Sequence, residues 1–150
     1  MKALSLWEPW ATLVVIGAKR IETRSWPTDY RGALLIHAAG KVSKAQIEIC
    51  HEEPFKTFLR ASGIQRWQDF KLGCVIGSVD LVSCLQIVEP SYALPNVSVA
   101  PPPEPELSFG IYKPGRYAYG LANHQRFAEP IKHRGLQRFF NIHPQVLGFS

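Results

Sequence analysis

Apolar and polar positions along this chain alternate, cluster and break in a way that outlines most of its elements. The opening KALSL has the near-alternation of a short strand. Pro9 follows where a helix would begin, a place at which its missing N–H costs nothing. The segment PWATLVVIGAKR is apolar nearly all round and predicts a short buried helix, with Gly17 as its stop. IETRSW then alternates with period two, which puts Glu22 and Arg24 on one face and Ile21 and Thr23 on the other. A turn at PTDYRG leads into GALLIHAA, an apolar run of strand length.

The middle of the chain reads as helical. Ser43 is placed to cap a helix through KAQIEICHEE. Pro54 is placed to start another through FKTFLRAS, with Gly63 just past its end. GCVIGSVDLVSCLQIV is the most strand-like segment: Val75, Gly77, Val79, Leu81 and Ser83 alternate with Ile76, Ser78, Asp80 and Val82. A strand this long with two glycines is expected to bend, and bending points to a barrel rather than a flat sheet. Residues near 88–108 are rich in proline and lack periodicity, so they predict an extended, semi-rigid loop that acts as a spacer. Strands resume at GRYAYGLANHQRF and are expected to turn at Glu129–Pro130 into IKHRG. With no internal repeat and no composition break, residues 1–150 read as one β-rich α+β domain.

Composition narrows the function only a little. Hydrophobic residues make up 46% of 150 and charged residues 19%, the balance of a globular domain. The net charge of +5 favours a polyanionic partner without specifying one. Cys50, Cys74 and Cys84 are odd in number and lack metal or redox spacing, which suits three small buried hydrophobes in a reducing cytoplasm. No export signal is visible at the start, and the run ATLVVIGA is too short to span a bilayer. The histidines and cysteines show no metal-ligand spacing. No phosphate-loop, dinucleotide or nucleophile-elbow motif appears, and no cofactor is implied.

The most informative stretch is GAKRIETR, Gly17 to Arg24. It sets a lysine at a helix-to-strand turn and a Glu–Arg pair on one strand face just after it. Three ionisable groups so close are costly to bury separately, so they should pair or face a wet cleft; an ordinary surface ion pair is the plainer alternative.

Gly17, Lys19, Glu22 and Arg24 fill the pattern G-x-K-x-x-E-x-R, and in this the chain resembles the ASCH family. The resemblance extends to LSLWEPWATLVVIG upstream, to RSWPTDYRGALLIHAA with Trp26, Tyr30, Arg31, Gly32 and His37, to GCVIGSVDLVSC, and to GRYAYGLANHQRFAEPIKHRG near the end. It implies a PUA-like β-barrel with flanking helices and a cleft lined by the motif. It implies RNA, a modified nucleotide or DNA as partner, with Lys19 and Arg24 engaging the ligand and Glu22 orienting them. Trp26, Tyr30, Arg31, Ser78 and Asp80 complete the expected ligand-binding set, with Trp7 and Trp10 as further stacking candidates. On this reading Lys19→Ala weakens binding and leaves the thermal midpoint almost unchanged.

Some members of the family are amidohydrolases of N-acylated cytidine, and a ribonuclease activity is described within it. A hydrolase on the same cleft is therefore the alternative, with Lys19 and Glu22 as its catalytic residues and no metal. The deacylases pair the lysine with a threonine three residues on, where this chain has Glu22. A carboxylate beside an ammonium favours the charged, non-nucleophilic form. Asp80 is the candidate for a second carboxylate, while His37 reads as a core or rim histidine rather than an acid–base catalyst.

Overall fold

A computed structural model describes residues 1–148. Its elements are β1 (Lys2–Leu6), α1 (Trp10–Val15), β2 (Ile21–Arg24), β3 (Gly32–Ala38), α2 (Lys44–Ile49), α3 (Phe55–Ala61), β4 (Cys74–Ile87), β5 (Ser98–Val99), α4 (Glu106–Phe109), β6 (Tyr117–Lys132) and β7 (Phe139–Asn141). Seven strands form one mixed sheet in the order β2-β6-β4-β3-β1-β7, with the short β5 added to β4. β1 runs parallel to β3, whereas β4 runs antiparallel to both β3 and β6. The register of β4 against β6 shifts three times, and those bulges curl the sheet into a half-barrel. This is the expected α+β class, a curled sheet with flanking helices.

Helix α1 plugs the concave side. Ala11 through Val15 are all buried, as the run of apolar side chains predicts. The helix can approach β4 because position 77 is glycine: a Cβ there would stand 2.6 Å from a Val15 methyl and collide with the Gln125 carbonyl of β6. Leu4, Val14, Ile36, Val79 and Tyr119 belong to the core that results. Gly17 ends the helix at φ +82°, a left-handed conformation that glycine adopts freely.

A shared device opens three of the helices. The carboxylate of Glu8 accepts from the main-chain N–H and the hydroxyl of Thr12, four residues on, at 2.8 and 2.6 Å. Glu53 does the same to Thr57, and Glu104 to Ser108. Each set spells E-P-x-x-[ST]. The carboxylates satisfy donors that a helix start leaves open and suit its positive end. At Ser43 the device is instead a capping box with Gln46, as the serine predicts.

Two expectations about the second half need correction. The stretch 88–108 is not a featureless spacer: it turns at Pro90–Tyr92, adds β5 to the sheet beside Gln86 and Ile87, and ends in α4 with Phe109 buried. Nor does the chain turn at Glu129–Pro130. β6 runs on to Lys132, and its register advances from Arg126 opposite Gly77 to Ile131 opposite Val75. Pro130 falls in that bulge, where a missing N–H breaks no ladder bond.

Candidate functional site

The helix–strand corner at Gly17 to Arg24 is built so that its three charged residues meet. Glu22 and Arg24 share one face of β2, and Arg24 Nε donates to Glu22 Oε2 at 3.0 Å. Arg24 Nη2 also donates to the Ser5 carbonyl at 3.2 Å, which ties edge strand β2 across to β1. Lys19 precedes the strand, and its side chain is only 1% exposed. Its Nζ donates to the Ile21 carbonyl and lies 3.5 Å from Glu22 Oε1. Glu22 therefore stands between two cations, one inside the protein and one at a surface.

That surface is a cavity of about 380 Å³ with Glu22 and Arg24 in its wall. Trp7, Trp10 and Trp26 line it together with Leu6, so three of the four tryptophans of the chain face one hollow. Trp26 is held edge-on against Tyr119 and Phe139, and the Tyr119 hydroxyl donates to its carbonyl at 2.6 Å. The Arg138 guanidinium lies over its ring at 4.9 Å. Trp10 packs against Phe55 and is only partly buried, so it serves core and cavity together. Trp7 is 55% exposed at the edge.

The opposite wall comes from a distant part of the chain: Phe109, Gly110, Ile111 and Arg116. Arg116 holds it in place by donating to the carbonyls of Thr23 and Ile111 at 3.2 and 3.1 Å. The Ile111 N–H donates to Thr23 Oγ1 at 3.1 Å. From α4, Glu106 accepts from the Arg20 N–H, closing the same corner from behind. Sequence reasoning misses this wall because it lies some 90 residues from β2 in a segment without period; only its aromatic and arginine content gives a signal.

The residues expected to bind ligand are thus divided. Glu22, Arg24 and Trp26 line the cavity, and Lys19 touches Glu22 from the interior. Tyr30 packs edge-on against Phe139, beneath the Lys2 ammonium, and donates to the Ala33 carbonyl. Arg31 is exposed and donates to the carbonyls of Thr28 and Tyr30. Ser78 and Asp80 lie on β4 opposite Leu35 and Ala33, and Asp80 accepts from Asn123 at 2.5 Å. None of these four belongs to the cavity wall. Among the described residues no group of three or more His, Cys, Asp or Glu is arranged to hold a metal ion.

Two titratable groups outside the cavity wall are shifted by burial. Glu8, fully buried between Trp7 and Pro9, is pushed up to about 7 by loss of solvent, against the pull of its Thr12 bonds and of Arg126. Burial pushes the Cys50 thiol up to about 11, with Glu8 adding to the effect, so this thiol stays protonated and unreactive.

Comparison with known proteins places this corner in context. The ASCH domain family matches residues 4–94, which include the Gly17–Arg24 motif but not the far wall of the cavity. Activating signal cointegrator 1 from Mus musculus is 39% identical over 95 residues, and its counterpart from Homo sapiens 38%. Each match covers 63% of this chain but only 16% of the relative, so the chain matches a small part of a much longer protein. In fold, it is similar to the crystal structure of ASCH from Zymomonas mobilis, with a TM-score of 0.54 and 15% identity over 98% of this chain and 90% of that one. A mutant of the same protein gives 0.54 and 17%, over 98% and 93%.

Proposed function

This chain belongs to the ASCH domain family, and from that premise we propose that residues 1–150 form one ASCH domain whose cavity receives a base of RNA, or a nucleotide-like ligand. The observation that carries the reading is the pairing of three indole walls with the Arg24 guanidinium, itself fixed by a carboxylate, in one hollow of about 380 Å³. Indoles offer flat faces on which any base can stack, worth about 1–3 kcal/mol per base. Two of the five N–H donors of Arg24 are engaged by Glu22 and Ser5. The rest are available to a base carbonyl or phosphate. Glu22 accepts from Arg24 and faces the same space, so it both aims the guanidinium and offers an acceptor to an amino or imino group. Lys19 supports Glu22 rather than touching the ligand.

A hydrolase on this cleft has less support. A lysine nucleophile or base must reach the substrate, and the Lys19 ammonium is enclosed between the Ile21 carbonyl and Glu22. The free, partly buried cysteines suit a reducing compartment such as the cytoplasm. Among the described residues no helix is long and apolar enough to cross a membrane.

Tryptophan fluorescence tests the reading directly. Titration with short single-stranded RNA should quench the emission in the wild type and leave Arg24→Ala unresponsive. A parallel titration with DNA separates the two polyanions. Emission unchanged by RNA, by DNA and by a panel of modified nucleosides would contradict it.

A further inference from the structure

A second hollow of about 400 Å³ lies at β1 and β3. Ser5 and His37 line it, with Gly40, Arg134 and Gly135. They are paired residues of the two parallel strands, so their side chains emerge side by side. Ser5 Oγ lies 2.9 Å from His37 Nδ1, and His37 Nε2 lies 2.6 Å from the His133 carbonyl oxygen. A carbonyl only accepts, so Nε2 carries the proton of the neutral ring. Nδ1 is then the bare nitrogen, and the Ser5 hydroxyl must donate to it. This is the order that nucleophilic catalysis requires: a hydroxyl, a base that takes its proton, and a third group that fixes the ring.

We propose that Ser5 and His37 form a nucleophile–base pair, oriented by the His133 carbonyl, that hydrolyses small carboxylic esters in this second hollow. Ser5 Oγ attacks the ester carbonyl carbon while its proton passes to His37 Nδ1. The carbon–alkoxy bond breaks, and the alkoxide leaves as alcohol with that proton. Water, deprotonated by the same nitrogen, then attacks the acyl-serine and releases the carboxylic acid, restoring the hydroxyl. The sum is ester plus water to acid plus alcohol.

Three features support the assignment. His37 is only 1% exposed, and burial holds it below the ordinary histidine range, so the ring is in its basic form at neutral pH. Glycine at 135 brings main chain close: a Cβ there would stand 2.7 Å from His37 Cε1 and 3.0 Å from Ser5 Oγ. Gly40, in the same wall, adds no side chain to narrow the hollow. Arg134 on that wall favours an ester that also bears negative charge. The site is separate from the tryptophan-lined cavity, and Ser5 meets that cavity's Arg24 only through its main-chain oxygen. The two readings therefore stand or fall independently.

The full chain, incubated with an alkyl fluorophosphonate, should gain one adduct that peptide mapping places on Ser5. The adduct should be lost in Ser5→Ala, which keeps the main-chain oxygen used by Arg24. Hydrolysis of p-nitrophenyl acetate should fall at least about 100-fold in Ser5→Ala and in His37→Gln. Should His37→Gln not fold, Ser5→Cys carries the test. Its introduced thiol should react with iodoacetamide at pH 7 at least about tenfold faster than a free cysteine, because the ring accepts its proton. An unmodified Ser5 after prolonged exposure to the fluorophosphonate overturns the proposal. So does an introduced thiol no faster than free cysteine.

Discussion

Glu22 holds Arg24 with one carboxylate oxygen at 3.0 Å and approaches the Lys19 ammonium with the other at 3.5 Å. One side chain thus links a cation at the cavity wall to a cation buried behind it. The three residues act as a unit, and their substitutions should not be independent.

Lys19→Met should destabilise the fold by about 3 kcal/mol, because removing one partner of a buried pair leaves the other undercompensated. Glu22→Gln should cost a similar amount, since it strands an ammonium that is 1% exposed. The double variant should cost clearly less than the sum, by at least about 1 kcal/mol. Urea denaturation of the four proteins measures this; additive losses would show that the pair is not coupled. The expectation that Lys19→Ala spares the thermal midpoint is revised accordingly: the lysine is interior, and its removal should lower the midpoint.

The carboxyl of Glu8 gives stability a pH dependence. Its folded pKa of about 7 stands above the ordinary value of 4.5, so between those values the folded state binds more protons than the unfolded chain. Stability from this group is complete below pH 4.5 and is lost as pH rises through about 7. The full loss is on the order of 3 kcal/mol. Glu8→Gln can keep one acceptor for the Thr12 N–H and turn a donor to its hydroxyl. Relative to that variant, the wild type should lose stability between pH 5 and 8, as read by denaturation at several pH values. A constant difference between the two would refute the shift.

Gly77→Ala should cost about 1–3 kcal/mol, because the added methyl meets a main-chain carbonyl and a buried valine that cannot both retreat. The thermal midpoint should fall with little change in the tryptophan-lined cavity, which lies elsewhere. A neutral effect would mean that α1 can lift from β4 without penalty.

Where pattern and structure agree, the cause is local. Alternation in IETR places Glu22 and Arg24 together because a strand repeats every two residues, and the apolar circumference of ATLVV buries α1 because no face remains for water. Lys19 escapes such reasoning: it sits on the turn before β2, so no period says whether it points in or out. The wall at Phe109 to Arg116 escapes it for another reason. Only the fold brings that segment to β2, through the bonds of Arg116 and Ile111 to Thr23. Tyr30, Arg31, Ser78 and Asp80 carry suitable chemistry but stand on neighbouring strands and turns, and sequence order does not reveal that separation.

Affinity for single-stranded RNA, measured by fluorescence anisotropy across a salt series, decides whether the tryptophan-lined cavity binds the polyanion. Arg24→Ala should bind at least about tenfold more weakly than wild type at every salt concentration while still unfolding in one cooperative transition. Wild-type affinity retained by a folded Arg24→Ala variant would show that RNA binds elsewhere on the protein.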